Sequence, residues 1–217
     1  MHDMLHKNKE YFSSPTKTSI EVKKEITEGF KILNSIDRPL VTIFGSHITP
    51  KSHADYKHAY RLGKTLAKKG YAVATGGGPG IMEAANRGAF DAGAPSVGLR
   101  AALLKQEVVD GNCHTHDMGF VFMFVRRFML SIKSEALIFY PGGYGTLNEL
   151  FEFTVLIQTG MTDKVPLILV NKDFWKGMQS WLTKGKNTFY HDAKKDFGLL
   201  SSADTVQDVM RLLPAIE

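Results

Sequence analysis

The sequence predicts a doubly wound, Rossmann-like α/β domain built on a parallel sheet. Short apolar runs alternate with helical patterns along most of the 217 residues, a length that suits one large domain. The runs are apolar at every position, which is typical of parallel strands that helices cover on both faces. Three of them end in glycine-containing turns, and ligands in such folds bind beyond the carboxyl ends of the strands. We therefore expect a ligand site at that edge of the sheet.

The N-terminal residues are predicted to form an extension, 1–36, ahead of the α/β domain of residues 37–217. The segment up to Thr18 is polar and rich in Lys, Ser and Thr, so it predicts a disordered stretch or a clasp. Residues 21–33 place apolar side chains at helical spacing and predict one amphipathic helix.

The first strand and helix of the domain follow directly. Residues 40–44, Leu-Val-Thr-Ile-Phe, form an apolar run with β-branched members that ends in Gly45 and Ser46. Residues 52–69 predict a helix, which Gly70 closes.

The second strand leads into the densest glycine turn. Residues 71–75 predict a strand, the turn at 76–80 reads Gly-Gly-Gly-Pro-Gly, and residues 81–90 predict a helix. Glycine allows positive φ and a close approach of backbone to ligand, so Gly77 and Gly78 are candidate binding residues. A tight strand-to-helix turn without a ligand is the alternative interpretation.

The remaining elements are predicted from the same patterns. Three further strands cover residues 95–99, 135–140 and 165–170. Four further helices cover residues 119–133, 146–159, 174–182 and 203–213, the last with Ser201 or Ser202 as its N-cap.

The most informative segment is 141–149, Pro-Gly-Gly-Tyr-Gly-Thr-Leu-Asn-Glu, which joins the predicted strand 135–140 to a helix. Three glycines let backbone N–H groups converge on an anion at the positive end of that helix. Glu149 falls one turn inside the helix. The segment therefore predicts a phosphate site with a carboxylate close to it.

The net charge of +5 favours small anions over nucleic acid as partners. Lysines and arginines never exceed a doublet and alternate with acidic residues, unlike a nucleic-acid-binding patch. The one cysteine, Cys113, excludes an intramolecular disulfide and fits a reducing compartment. The start of the chain lacks a signal-peptide pattern, and no apolar run approaches the roughly 20 residues that cross a bilayer. We expect a cytoplasmic protein that binds neither nucleic acid nor a membrane.

Cofactor and metal sites fit the sequence less well. A dinucleotide fingerprint needs an acidic residue after the third strand, where Leu99 and Arg100 stand, although Arg100 leaves a phosphorylated nicotinamide cofactor open. The sequence contains no G-x-x-x-x-G-K-[ST] loop. Residues 113–117, Cys-His-Thr-His-Asp, match no standard zinc spacing and predict a polar loop. We expect neither a cofactor nor a metal.

Three motifs occur together in a specific order and spacing: 76–86, ending in Met-Glu-Ala-Ala-Asn, 125–127, Val-Arg-Arg, and 141–149. In this combination the chain resembles the LONELY GUY family of cytokinin riboside 5′-monophosphate phosphoribohydrolases, many of which carry the label "possible lysine decarboxylase". The resemblance covers about residues 40–182. The N-terminal helix and the form of the first motif resemble the longer bacterial subgroup, which is sometimes hexameric.

The resemblance implies that residues 37–217 are a nucleotide-binding catalytic domain that hydrolyses the N-glycosidic bond of AMP or of cytokinin riboside 5′-monophosphates. The products would be the free base and ribose 5-phosphate. Glu149 matches the family's catalytic carboxylate, which would stabilise positive charge on the ribose and orient or deprotonate the attacking water. Arg126 matches the catalytic arginine. It would either fix Glu149 or hydrogen-bond the departing base.

Substrate contacts are implied for several other elements. The glycine turn would hold the phosphate, and Glu83 would meet the ribose hydroxyls or, as an exposed first-turn residue, only favour the helix dipole. Thr154 is either a substrate contact or an ordinary helix threonine. The family's Arg-Lys pair is Arg126-Arg127 here, and Asn148 replaces a common acidic residue. The implied substrate-binding residues are Ser46, Gly77, Gly78, Glu83, Glu107, Arg127, Gly142, Gly143, Tyr144, Gly145, Thr146 and Thr154.

Two other functions remain open. One is a broad purine or pyrimidine nucleotide nucleosidase in salvage, and the other is a nucleotide-binding protein without turnover. A decarboxylase would need a Schiff-base lysine, but Lys133, Lys164 and Lys172 lie in no motif that holds pyridoxal phosphate.

The predicted helix 119–133 is apolar on nearly every side, with Phe120, Phe122, Phe124 and Phe128 among its residues. Such a helix must be covered from more than one direction. We expect a homodimer, or a higher homo-oligomer, that forms through this helix.

Overall fold

A computed structural model describes residues 14–104, 112–183 and 198–216, and within these residues all strands join one parallel sheet. In chain order the strands are β1 (Leu40–Phe44), β2 (Ala72–Thr75), β3 (Ser96–Ala101), β4 (His116–Phe120), β5 (Ser134–Phe139), β6 (Leu167–Val170) and β7 (Leu200–Ala203). Their spatial order is β4-β3-β2-β1-β5-β6-β7. The direction in which strands are added reverses between β1 and β5, and ligands of doubly wound sheets bind at such a reversal.

Helices cover both faces of the sheet, so the predicted doubly wound α/β fold is confirmed. In chain order the described helices are α1 (Pro15–Asn34), α2 (Ala54–Lys68), α3 (Ile81–Asp91), α4 (Met123–Ser131), α5 (Tyr144–Gln158), α6 (Lys172–Thr183) and α7 (Val206–Leu212). Helices α2, α3 and α7 pack on one face, and α1, α4, α5 and α6 pack on the other. None of them combines the length and low polarity that a membrane span requires.

The central strand β1 shows why the inner strands are apolar throughout. Val41 and Ile43 point into one core, whereas Leu40 and Phe44 point into the other, and all four are almost fully buried. Burying a large apolar side chain stabilises a fold by about 1.5–3 kcal/mol. Both faces of β1 therefore contribute to the core, as predicted from its continuous apolar run.

The edge strands differ from the prediction, which contained five strands, whereas the described residues form seven. Strand β4 covers Gly119 and part of the predicted polar loop 113–117, and its first four residues are half-buried or exposed. Strand β7 contains Ser201 and Ser202, which were predicted to cap a helix, while Thr205 is the actual N-cap of α7. Edge strands bury less of each side chain than central ones, so an apolar run is not required and the pattern gave no signal.

Two predicted helices differ from the structure more than the others in where they begin. Helix α4 begins at Met123, because the preceding residues through Phe120 pair with β3 and the prediction of a helix from 119 was wrong there. Helix α1 begins at Pro15, earlier than predicted, with Ser14 as its N-cap. Pro is favoured in the first turn of a helix, where its missing N–H costs nothing. Leu33 of α1 lies in the core, and the boundary between residues 36 and 37 stays a prediction.

Candidate functional site

Three glycine-containing turns meet at the carboxyl edge of the sheet, where β1, β2 and β5 end. The backbone N–H of Ser46, after β1, donates to the carbonyl of Pro141, after β5, at 3.0 Å. The N–H of Ile81 donates to the carbonyl of Ser46 at 3.0 Å and so joins the third turn to the same point. Gly80 has φ +69, and a Cβ there would collide with the Ser46 carbonyl. These bonds hold the predicted binding turns side by side.

The turn after β5 leaves the start of helix α5 open to an anion. Gly143 is the N-cap of α5 and supplies no side-chain cap, and a Cβ on Gly143 or Gly145 would meet nothing within 4 Å. A Cβ on Gly142 would instead collide with the hydroxyl of Thr146, which is buried. The first N–H groups of a helix lack intrahelical partners and carry the positive end of its dipole. Bare backbone and free space therefore coincide where the phosphate is predicted to bind.

A cleft of about 420 Å³ opens beside this turn at the reversal between β1 and β5. Its size is in the range of small-molecule sites. It is lined by Ser46, Ile48, Thr49, Pro50, His53, Asp55, Pro141, Gly142, Gly143 and Phe174. A larger cleft of about 530 Å³ is lined by Leu40, Ser134 and other residues at the opposite edge of the sheet, and no glycine turn reaches it. The smaller cleft is therefore part of the candidate site, whereas Arg126 and Glu149 lie outside its lining.

Arg126 connects three elements from its position on α4. Its Nε donates to the carbonyl of Leu99 at 2.6 Å, and its Nη2 donates to the carbonyl of Gly76 at 3.3 Å. A Cβ on Gly76 would collide with Nη2, so this approach requires glycine. The side chain is only 8% exposed. Arg126 is thus held at the ends of β2 and β3, with Nη1 directed to Glu149 on α5 at 3.8 Å from Oε1.

Glu149 lies one turn inside α5, the helix that begins at the turn after β5. Its side chain is 13% exposed and faces the guanidinium of Arg126, so both charges stand in a region of reduced dielectric where their attraction is stronger than in water. Side chains on a helix lean towards its N-terminus, which brings this carboxylate towards the open start of α5. Glu149 therefore faces a fixed arginine and belongs to the helix whose open start is the predicted phosphate site.

Glu83 is buried and ion-paired, which excludes the alternative of an exposed first-turn glutamate. Its Oε1 lies 3.0 Å from Nη2 of Arg87 and 3.1 Å from Nζ of Lys51. Lys51 belongs to the loop after β1, which also lines the cleft through Ser46. Glu83 therefore fastens this loop to α3, and a contact with ribose stays a prediction.

A buried polar network beneath the second glycine turn was missed by the sequence analysis. The N–H of Gly77, which has φ +67, donates to the hydroxyl of Thr75 at 2.9 Å. Thr75 bonds in turn to Oδ1 of Asn86, whose Nδ2 donates to the hydroxyl of Ser96 at 2.8 Å. All of these polar side chains are buried. The sequence did contain a signal for this network, because Thr75 stands in an apolar strand and Asn86 in an alanine-rich helix.

Residues 82–213 match the family model described as "Possible lysine decarboxylase". A probable cytokinin riboside 5′-monophosphate phosphoribohydrolase of Oryza sativa subsp. japonica is 30% identical over 170 residues, which cover 76% of this chain and 67% of the relative. The chain belongs to the LONELY GUY family. A cytokinin riboside 5′-monophosphate phosphoribohydrolase of Arabidopsis thaliana is 28% identical over 71% of this chain and 72% of its own.

Solved structures similar to this LONELY GUY protein share its fold. The molybdenum cofactor binding protein of Rippkaea orientalis superimposes with a TM-score of 0.58 at 24% identity, over 81% of this chain and 94% of its own. The molybdenum cofactor carrier protein of Chlamydomonas reinhardtii gives a TM-score of 0.59 at 20% identity, over 80% and 94% of the two chains. At this identity the likeness concerns architecture alone.

Two residues implied by the LONELY GUY motifs make contacts within the protein. Nε of Arg127 lies 2.5 Å from Oε2 of Glu152, although the angle is not that of a hydrogen bond. The second arginine therefore forms an ion pair between α4 and α5. The hydroxyl of Thr154 donates to the carbonyl of Leu150 at 2.7 Å, as in an ordinary helix threonine. Their substrate contacts stay predictions.

The remaining sequence candidates have different positions in the fold. Glu107 is outside the described residues. Tyr144 is almost fully exposed at the first position of α5. Lys133 and Lys164 line the cleft at the opposite edge of the sheet, and Nζ of Lys172 pairs with Asp204 at 3.2 Å.

Arg100 and the predicted polar segment 113–117 are engaged with each other. Nε of Arg100 donates to Oδ1 of Asp117 at 2.7 Å across strands β3 and β4. Burial raises the pKa of the Cys113 thiol to about 11, so this thiol stays protonated at neutral pH. Within the described residues no group of His, Cys, Asp or Glu side chains is arranged to hold a metal ion.

Proposed function

We propose that this LONELY GUY protein hydrolyses the N-glycosidic bond of nucleoside 5′-monophosphates, releasing the base and ribose 5-phosphate. The observation that carries the proposal is the nearly buried Arg126–Glu149 pair beside the open, glycine-built start of α5. The names of the plant relatives support the same reaction class. AMP and cytokinin riboside 5′-monophosphates are the proposed substrates.

The phosphate would bind at the start of α5, on the backbone of Gly142, Gly143 and Gly145 and on the hydroxyl of Thr146. The N–H groups and the helix dipole favour an anion there without any cationic side chain. Anchoring the phosphate fixes the sugar relative to Glu149. The energy of phosphate binding is then used to hold the reacting bond in the productive orientation. A nucleoside without phosphate would lose that orientation.

Glu149 would act on the anomeric carbon. As the bond to the base breaks, positive charge develops on the ribose, and a nearby carboxylate stabilises it and orients or deprotonates the attacking water. Arg126 is anchored to two backbone carbonyls and directs Nη1 to Glu149, which supports the role of fixing the carboxylate over the role of contacting the base.

The test is release of free base, followed by chromatography, from AMP, from isopentenyladenosine monophosphate and from adenosine. We expect release from the two monophosphates and little from adenosine, because the phosphate anchor is missing there. Equal release from adenosine would contradict the phosphate site. Binding of AMP without release would favour a nucleotide-binding protein, and comparable rates with pyrimidine monophosphates would favour a broad nucleosidase.

We also propose a homodimer or higher homo-oligomer through α4 and α5. The two helices are joined by the Arg126–Glu149 and Arg127–Glu152 pairs, and both carry exposed apolar side chains. Soluble monomers rarely leave such patches uncovered. The exposed apolar residues are Met123, Phe124 and Phe128 on α4 and Phe151 and Val155 on α5.

Phe124→Asp is expected to shift the protein to monomer in analytical ultracentrifugation. Phe124 is 53% exposed, so the charge would be solvated in a monomer but buried in an interface. Phe122 is unsuitable for this test, since it lies in the core and a charge there would unfold the protein. The matched control is Trp181→Asp, at a strongly exposed apolar residue of α6. An unchanged size of folded Phe124→Asp would contradict an interface at α4.

The proposed location is the cytoplasm. Cys113 is buried and is the one cysteine of the chain, so no disulfide within the chain contributes to its stability. Proteins of reducing compartments are typically built in this way.

A further inference from the structure

Helix α4, which carries Arg126, begins without a cap of its own. Its N-cap is Phe122, and Phe120 and Val121 precede it, so this turn offers no Ser, Thr, Asp or Asn side chain to accept backbone N–H groups. Backbone donors at a helix start need partners when water is excluded, and Phe120 and Phe122 are both buried. The N–H groups of Val121 and Phe122, at the entry to the helix, therefore need an acceptor from elsewhere in the protein.

Glu25 of α1 supplies it across 96 residues of chain. Oε1 accepts the N–H of Val121 at 2.5 Å, and Oε2 accepts the N–H of Phe122 at 3.3 Å. In a capping box, a glutamate inside the helix accepts the N-cap N–H in the same way, and here the glutamate comes from a second helix. Its negative charge also faces the positive end of the α4 dipole.

The position of Glu25 is otherwise unfavourable, which indicates a specific role. The residue is 7% exposed, and burial raises the pKa of its carboxyl while the two backbone N–H bonds oppose that shift. A buried carboxylate is costly unless hydrogen bonds compensate for the lost water. An apolar residue would serve if this face of α1 only had to pack.

A short chain of bonds leads from Glu25 to Arg126. Phe122 donates its N–H to Glu25 and accepts the N–H of Arg126 on its carbonyl at 3.1 Å. Arg126 follows one turn later. A shift of α4 along its axis, or a rotation about that axis, at Phe122 would therefore move the guanidinium. Two further contacts hold α1 along α4: Gly29 lies against Met129, and the rings of Phe30 and Phe128 meet edge to face at 6.2 Å.

We propose that Glu25 is a positioning residue that sets the placement of Arg126 through the start of α4. The N-terminal helix thereby becomes part of the catalytic arrangement, although it contributes no group to the cleft. The catalytic consequence rests on the proposed function, whereas the structural consequence for α4 does not. The phosphate site proposed above lies at the turn after β5 and the start of α5, and no residue of α1 belongs to it.

The test compares Glu25→Gln and Glu25→Ala with Glu28→Gln, an exposed position on the same helix. Glutamine keeps one acceptor oxygen and nearly the same volume, so it should fold even if alanine does not. We expect kcat for AMP to fall by about 10- to 100-fold, as small displacements of catalytic groups cause, with a much smaller change in KM. Glu28→Gln should match the unmodified protein in both constants.

A double-mutant cycle separates positioning from general loss of structure. If Glu25 acts through Arg126, Glu25→Gln should cost little further activity once Arg126→Lys is present, because coupled residues are not additive. Equal losses from Glu25→Gln in both backgrounds would overturn the proposal. So would a folded Glu25→Ala variant with unchanged kcat.

Hydrogen exchange gives a readout that does not depend on turnover. In Glu25→Gln we expect faster exchange of the amides in residues 121–126 and unchanged exchange in α5, compared with Glu28→Gln. Unchanged exchange at 121–126 would overturn the role of Glu25 even if the enzyme is active. If the unmodified protein releases no base but these amides still respond, the proposed function fails and the placement of α4 by Glu25 stands.

Discussion

Glu149→Gln is expected to lower kcat for nucleoside 5′-monophosphates by about 10²–10⁴-fold, the usual contribution of a positioned acid–base group. The amide is almost the same size as the carboxylate, so the cleft keeps its shape. It carries no charge to stabilise the cationic ribose and is a poor base for water. Base release measured by chromatography, with calorimetric binding of AMP to the same variant, separates loss of chemistry from loss of binding.

The matched control is Glu152→Gln, on the same helix one turn away. Glu152 pairs with Arg127, and its side chain is 32% exposed. Like Glu149, it forms an ion pair between α5 and α4, but it does not occupy the catalytic position. We expect a small effect on kcat, because Glu152 does not occupy the catalytic position, and a small effect on stability, because a partly exposed ion pair contributes about 0–1 kcal/mol. Wild-type turnover by Glu149→Gln on every accepted nucleotide would refute the assigned mechanism.

The inner part of the fold was predictable because burial on both faces leaves a strong trace in the sequence. Strands β1, β5 and β6 lie between two helical layers and appear as apolar runs close to their true limits. Strands β4 and β7 stand at the edges of the sheet, and their polar residues made them look like loop and helix. These two segments are strands because each pairs with one neighbouring strand, and their composition does not reveal that pairing.

The candidate site was predictable only in part, for a related reason. The glycines at 142, 143 and 145 leave the backbone uncovered, and this is visible from the local sequence. The position of Glu149 follows from its spacing in the predicted helix. The bonds of Arg126 to Leu99 and Gly76 join residues 27 and 50 positions apart, and those of Glu25 span more than 90. Such contacts depend on the order of strands and helices in space. Sequence spacing does not encode them.

Arg126→Ala is expected to be the most damaging change, because it removes partners from three groups at once. The carbonyls of Leu99 and Gly76 lose their donor, and Glu149 loses a cation in a nearly buried position. Removing one member of a buried ion pair typically costs about 3–5 kcal/mol. We expect a clear drop in the free energy of unfolding, measured by urea denaturation, and a loss of about 10²–10³-fold in kcat, similar to the loss of an electrostatic catalytic group.

Arg126→Lys distinguishes the charge of Arg126 from its geometry. An ammonium group keeps the positive charge, but its compact head does not reproduce the planar fork that spans two carbonyls and a carboxylate. If fixing Glu149 is the role of Arg126, the lysine variant should recover much of the stability and little of the activity. Recovery of both would mean that charge alone suffices. Arg127→Lys, at the neighbouring pair with Glu152, is the comparison, because Arg127 is itself an implied substrate contact. A larger loss of kcat in Arg127→Lys than in Arg126→Lys would mean that the catalytic role was assigned to the wrong arginine.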